Sequence, residues 1–263
     1  MVLVEHGSTF VIALFVGILA AMELGRRLGK RQLASPDGGP AGFGAVEGAV
    51  FGLLGLLLAF TFSGAAGRFD DRKRLITVEA NAIGTAWLRI DVAAAEAQPP
   101  LRALFRRYLD SRLATYRQAG DPDSAHAEFA RSAVLQGEIW SRAVAACGDP
   151  RASPGACVVL LPALNEMIDI TTTRLMATRM HPPAAIFALL VALTLAGALL
   201  AGHGMAGSQA WSWMHAASFA AVMAVTIYVI ADMEYPRLGY ITVDSADQVL
   251  VDLRQSLGET PGP

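Results

Sequence analysis

The side chains of this 263-residue chain that could do chemistry fall into two short stretches. Glu79, Asn81, Thr85 and Arg89 lie in VEANAIGTAWLR. Asn165, Glu166, Asp169, Thr172, Thr173 and Arg174 lie in NEMIDITTTR. On a helix Glu79, Ala82, Ala86 and Arg89 share a face, and Glu166 meets Asp169 three residues on. Two readings follow. In one, Arg89 and Arg174 neutralise Glu79, Glu166 or Asp169 between packed helices. In the other, the same groups form a charged vestibule that attracts ions. A metal site is a poorer reading, because no histidine sits at ligand spacing and His126 and His181 are isolated. Paired carboxylates could serve hydrolysis, but no activated nucleophile or phosphate loop accompanies them. The expectation is therefore no enzyme, no cofactor and no metal.

Cys147 and Cys157 bracket GDPRASPGA, a Gly/Pro loop. Their spacing, without histidine neighbours, does not make a zinc site. Either they close the loop as a disulfide, which requires an oxidising compartment, or they are two free thiols at helix ends.

These groups must be held by elements that the apolar patterning predicts. The chain is 54% hydrophobic and 17% charged, against roughly 45–50% and 25% for soluble domains. The excess is concentrated in runs, which points to membrane spans. Net charge is −2, so bulk charge offers nothing for nucleic acid. Four runs approach the roughly 20 residues that a bilayer core needs: Ser8 to Leu24, Val46 to Ala66, Ala184 to Gly204 after Pro182 and Pro183, and Trp213 to Asp232. Trp211, Trp213 and Tyr235 flank the last at headgroup level. Glu23, Glu47, Asp232 and Glu234 fall at span ends, where solvation is cheap. No basic region precedes the first run, so it reads as a retained span and not a cleaved leader.

The predicted fold class is an all-α integral membrane protein with four transmembrane helices and a helical extramembrane domain inserted between spans two and three. Residues 1–66 carry spans one and two, 67–181 the α-domain, 182–235 spans three and four, and 236–263 a tail with a short helix at Ala246 to Leu257. Inside the α-domain, Ile76, Ala80, Ile83, Trp87 and Ile90 make one helical stripe. Leu101, Leu104, Phe105, Tyr108, Leu113 and Tyr116 make a second. Phe129, Ala133, Gln136 and Trp140 make a third. Leu160, Leu164, Met167, Ile168, Thr171 and Leu175 make a fourth. Gly120, Asp121 and Pro122 read as a turn, and SPDGGPAGFG, within the Leu24 to Ala45 linker, as a flexible connection.

No proline or turn cluster separates span two from the charged helix after it, so one helix should leave the bilayer and continue into the α-domain. Gly48, Gly52 and Gly55 punctuate the span. Such glycines let backbones approach closely, either within one subunit or against copies around an axis. In the second case Phe51, Leu58 and Phe62 become candidates for an apolar neck.

Orientation divides the charges. Arg68, Arg72, Lys73, Arg74, Arg174, Arg179 and Arg237 lie near spans on the α-domain side, and Arg26, Arg27, Lys30 and Arg31 lie opposite. Seven against four leans towards a cytoplasmic α-domain, while a disulfide would argue the reverse.

The run EGAVFGLLGLLLAFTFSGAAGRFDDRKRLITVEANAIGTAWLR resembles the signature of the bacterial bestrophin-like membrane proteins. NEMIDITTTR before Pro182, and DMEYPRLGYITV after span four, are similar to that family's later motifs. The resemblance covers about Met22 to Leu253. It implies distant kinship with homopentameric ion channels, in which a long helix lines an apolar neck and a cytosolic α-helical domain extends the pore. The neck and calcium-clasp residues of those channels do not align here. The expected partners are then the lipid bilayer, further copies of this chain in a homo-oligomer such as a pentamer, and small inorganic ions. Nucleic acid is not expected. The expected place is the bacterial inner membrane. The alternative function is a non-conducting scaffold or sensor whose α-domain binds a partner.

Overall fold

The computed structural model describes residues 7–35, 44–118, 121–207 and 212–258. Most of the expected flexible linker, Gly120 of the expected turn, Trp211 and the final residues from 259 lie outside the described residues. Among the described residues the secondary structure is helical throughout, with no strand. The long helices are α1 (Gly7–Leu33), α2 (Gly44–Leu88), α3 (Gln98–Arg117), α4 (Pro122–Cys147), α5 (Ala156–Arg179), α6 (Ala184–Gly204), α7 (Trp213–Glu234) and α8 (Asp244–Ser256). Four helical stretches, those containing α1, α2, α6 and α7, are long and apolar enough to cross a membrane.

The termini of these helices follow local chemistry. Pro99 and Pro100 sit in the first turn of α3, where a missing N–H costs nothing. The Asp121 carboxylate caps α4 by accepting from the Asp123 and Ser124 amides. Gly155 precedes α5 at φ +77, a left-handed conformation that suits glycine. Helix α1 runs nine residues past the expected end of span one, through Arg26, Arg27, Lys30 and Arg31. Glu23 supports that extension by accepting from Arg26 and Arg27 one turn on.

The contacts divide the chain into two units, 1–68 with 181–241, and 69–180 with 242–263. In the first unit α1 packs along α6 and α7. Their shared core includes Ile18, Leu54, Leu190, Ala198, Ala220 and Ile227. Backbones touch where glycine permits it. A Cβ on Gly25 would collide with the Leu199 carbonyl, and one on Gly202 with the Met22 carbonyl. With no hydrophobic drive between helices in lipid, such close approach is what holds them.

The second unit is built on a core of larger side chains. Ile76, Ile83, Ile90, Leu101, Phe105, Tyr108, Leu135, Ile139, Leu160, Leu164 and Met167 are all essentially inaccessible. Three of the four expected stripes lie on this core. The α4 stripe is displaced: Ser132, Leu135, Gln136, Ile139, Ala143 and Ala146 face inward, whereas Ala133 and Trp140 are exposed. The aliphatic series Leu135, Ile139, Ala143 at four-residue spacing decides the buried face, and Trp140 lies one position off it. The tail is part of this unit. Leu250 of α8 is fully buried, Arg254 pairs with Asp110 at 2.7 Å, and Arg106 donates to the Leu257 carbonyl at 2.7 Å. Cys147 and Cys157 are joined as a disulfide between the end of α4 and the start of α5, with Cα atoms 5.0 Å apart.

Candidate functional site

Helix α2 is 45 residues long without a break, which at 1.5 Å per residue is about 67 Å. Its first half belongs to the first unit and carries the candidate neck and packing residues. Phe51, Leu54, Leu57, Leu58 and Ala65 turn towards that unit's core. Phe51 covers Gly197 and meets Phe219 edge to face at 6.2 Å between centroids. Phe62 is exposed, as are Leu53, Leu56 and Phe60. The spacings of seven and four put Phe51, Leu58 and Phe62 on one helical stripe, but their surroundings differ along it. Phe51 and Leu58 pack against this unit's core, and Phe62 keeps its exposure.

Gly48, Gly52 and Gly55 are exposed, and among the described residues nothing approaches within 4 Å of where their side chains would stand. The close backbone contacts described in this unit belong to Gly25, Gly29 and Gly202. Of the four apolar stretches, that of α2 is the least buried.

Beyond the apolar run, Glu79 lies at the centre of a charge cluster and has no solvent exposure. Arg112 Nε donates to Glu79 Oε1 at 2.6 Å, and Arg174 Nη1 donates to Oε2. The Tyr116 hydroxyl donates to Oε2 at 3.0 Å and accepts from Arg112. Both guanidinium groups lie over the Tyr116 ring, Arg174 at 3.9 Å and Arg112 at 5.0 Å from its centroid. Asp247 of α8 stands 3.9 Å from Arg174, so the two arginines face two carboxylates. Burial alone would raise the Glu79 pKa, but the adjacent Arg112 and Arg174 charges outweigh it and hold the carboxyl below its ordinary value. Burial likewise pushes the Tyr116 and Tyr108 phenols up, with the Glu79 charge adding to the shift. Arg112 Nη1 is buried without a hydrogen-bond partner among the described residues, and the centre of its guanidinium lies 5.6 Å from the Phe129 ring centroid.

The other predicted polar residues do not join this cluster. Arg89 donates instead to the Val159 carbonyl at 2.8 Å. Asn81 and Glu166 are exposed, and Asn165 donates to Asp169 at 2.9 Å on the surface of α5. The expected meeting of Arg174 with Glu79 is present. Glu79 itself has no solvent exposure and is held by the two guanidinium groups. Asn81, Asn165, Glu166 and Asp169 keep the exposure that a vestibule role needs.

The sequence reading missed Arg112 altogether. The signal was a cation between Leu109 and Leu113 on the apolar stripe of α3, one turn from both Tyr108 and Tyr116. A charge in that position needs a buried partner. It also underrated the acidic end of α7, where Asp232 and Glu234 are both fully buried. Asp232 accepts from the Ile241 amide at 2.7 Å, the Tyr240 amide at 3.0 Å and the Tyr228 hydroxyl at 2.9 Å. A side chain on Gly239 would collide with this carboxylate. Glu234 accepts from Arg68 at 2.9 Å and lies 3.6 Å from His181, whose ring stacks on Tyr235. Arg72, one turn beyond Arg68, donates to the carbonyls of Ala177 and Met180 and so caps the end of α5. Among the described residues no group of three or more His, Cys, Asp or Glu is placed to hold a metal ion.

Four apolar helices, glycine-mediated contacts between them and a long helix continuing past the apolar run define a multi-pass helical membrane protein. Within that class the chain belongs to the bestrophin-like family: the Bestrophin-like domain model matches residues 12–247. No match is found among the curated proteins or among the solved structures.

Proposed function

We propose that this chain is the subunit of a homo-oligomeric channel of the bacterial inner membrane, pentameric as the family resemblance implies, which passes small ions passively and catalyses no reaction. Residues 69–180 form its helical extramembrane part. The observation that carries this reading is the open face of α2. A span bearing Gly48, Gly52 and Gly55 with no neighbour within 4 Å among the described residues, together with exposed Leu53, Leu56, Phe60 and Phe62, is suited to meet other copies of itself. Phe62 is then the candidate for a constriction that gates by dewetting. The exposed groups Asn81, Asn165, Glu166 and Asp169 are the candidates for contact with ions outside the bilayer.

Single-channel recording of purified protein in planar bilayers tests the proposal. Discrete current steps are expected, with unit conductance altered in Phe62→Ala. Silence across ions and voltages would leave the scaffold reading, in which the same α2 face assembles copies around a sealed bundle.

A further inference from the structure

We infer that residues 69–180 face the extracytoplasmic side of the membrane, where Cys147 and Cys157 are oxidised. This reverses the orientation suggested by a plain count of charges. The inference rests on four spans but not on conduction, so a silent channel leaves it standing.

The observation that carries it is the disulfide. It ties the last residue of α4 to the second residue of α5 across a ten-residue separation, with no free cysteine left among the described residues. A reducing cytosol keeps such pairs as thiols, and an extracytoplasmic compartment oxidises them. Cys157 is the more accessible of the two, and Cys147 is nearly buried. The Cys157 thiolate therefore attacks the disulfide of a thiol–disulfide exchange oxidant and releases one oxidant thiolate. The Cys147 thiolate then attacks Cys157 Sγ in the mixed disulfide and releases the other. Two protein thiols and one oxidant disulfide become one protein disulfide and one oxidant dithiol, with two electrons and two protons passed to the oxidant.

The cations run the other way. Lys and Arg weigh on orientation in short loops and within about 15–20 residues of a span. Arg68, Arg72, Lys73, Arg74, Arg174, Arg179 and Arg237 do so on the α-domain side, and Arg26, Arg27, Lys30 and Arg31 on the opposite side. A compartment that oxidises the cysteine pair overrides that balance, because a thiol pair held in the cytosol would stay reduced.

The test uses the full-length protein in bacterial spheroplasts. A membrane-impermeant maleimide is applied to two variants on a Cys147→Ser, Cys157→Ser background: Ser153→Cys, in the exposed loop before α5, and Ser35→Cys, after α1. Ser153→Cys should be labelled in intact spheroplasts and Ser35→Cys only after permeabilisation. Any other pattern overturns the proposed orientation. The unaltered chain supplies a second readout. After acid quenching it should carry no alkylatable thiol until reduced, and two in a host lacking the extracytoplasmic thiol oxidase. Free thiols in both hosts would overturn the oxidation step.

Discussion

The two halves of α2 have opposite surroundings. From Ile76 to Ala86 its inward face is closed by its own subunit: Ile76, Glu79, Ala80, Ile83 and Ala86 are all buried, and the single charge among them is answered by two arginines and a tyrosine. From Gly48 to Phe62 much of the helix is bare, and its glycines meet nothing among the described residues. One half of the helix is specified by the fold of the chain. The other is left to lipid or to further copies. Substitutions in the second half should therefore be read in subunit stability, and those on the open face in assembly and current.

Glu79→Ala should have the largest effect. It leaves Arg112 and Arg174 buried without their shared carboxylate, a class of change that costs about 3–5 kcal/mol. Thermal unfolding of the detergent-solubilised protein, followed by helical circular dichroism, should show it. Oligomer-interface variants should not reproduce that loss. Next comes Ile83→Ala, which opens a cavity in a fully buried position and should cost about 2–5 kcal/mol by the same measurement.

The Glu79 cluster also makes stability depend on pH. The folded carboxyl titrates below its unfolded value, which is about 4.3. Its contribution is therefore fully present above the unfolded value and is lost as pH falls through the folded one. Unfolding midpoints of the unaltered chain should decline on acidification, and Glu79→Gln should start lower and decline less steeply. An equal slope in both would remove Glu79 as the titrating group.

On the open half, Gly52→Leu adds a side chain where no atom of the described residues lies within 4 Å. It should leave subunit unfolding within about 0.5 kcal/mol, as surface changes do, while lowering the oligomer mass measured by light scattering in detergent. Unchanged mass would mean that this face meets only lipid. A last comparison separates the phenylalanines. Phe51→Ala should lose its edge-on contact with Phe219, worth about 0.5–1.5 kcal/mol. Phe62→Ala should leave stability nearly unchanged and alter conductance only.

Much of the site was legible in residue types, but the partnerships were not. Glu79 and Arg174 stood out because charge is rare on apolar helical faces, and they do meet. Arg89 stood out for the same reason, yet it reaches a carbonyl of α5 instead. Arg112 was hidden inside a stripe that otherwise read as core. Asp232 and Glu234 looked like interfacial charges, because their position at a span end says nothing about the Ile241 and Tyr240 amides or the Arg68 guanidinium that enclose them. The glycines of α2 could be located but not assigned, since a small residue permits close approach without naming the neighbour.

The sequence by itself determined the helical class, the four apolar helices, the unbroken passage from apolar run to charged helix in α2, and the family. Each depends on patterns within one segment: length, period, and the absence of proline. The tertiary structure alone decided which face of α2 is open and which cations hold Glu79. Its partners Arg112 and Arg174 lie 33 and 95 residues away along the chain. No local period can specify such a meeting, because it depends on how separate helices rotate about their axes when they pack.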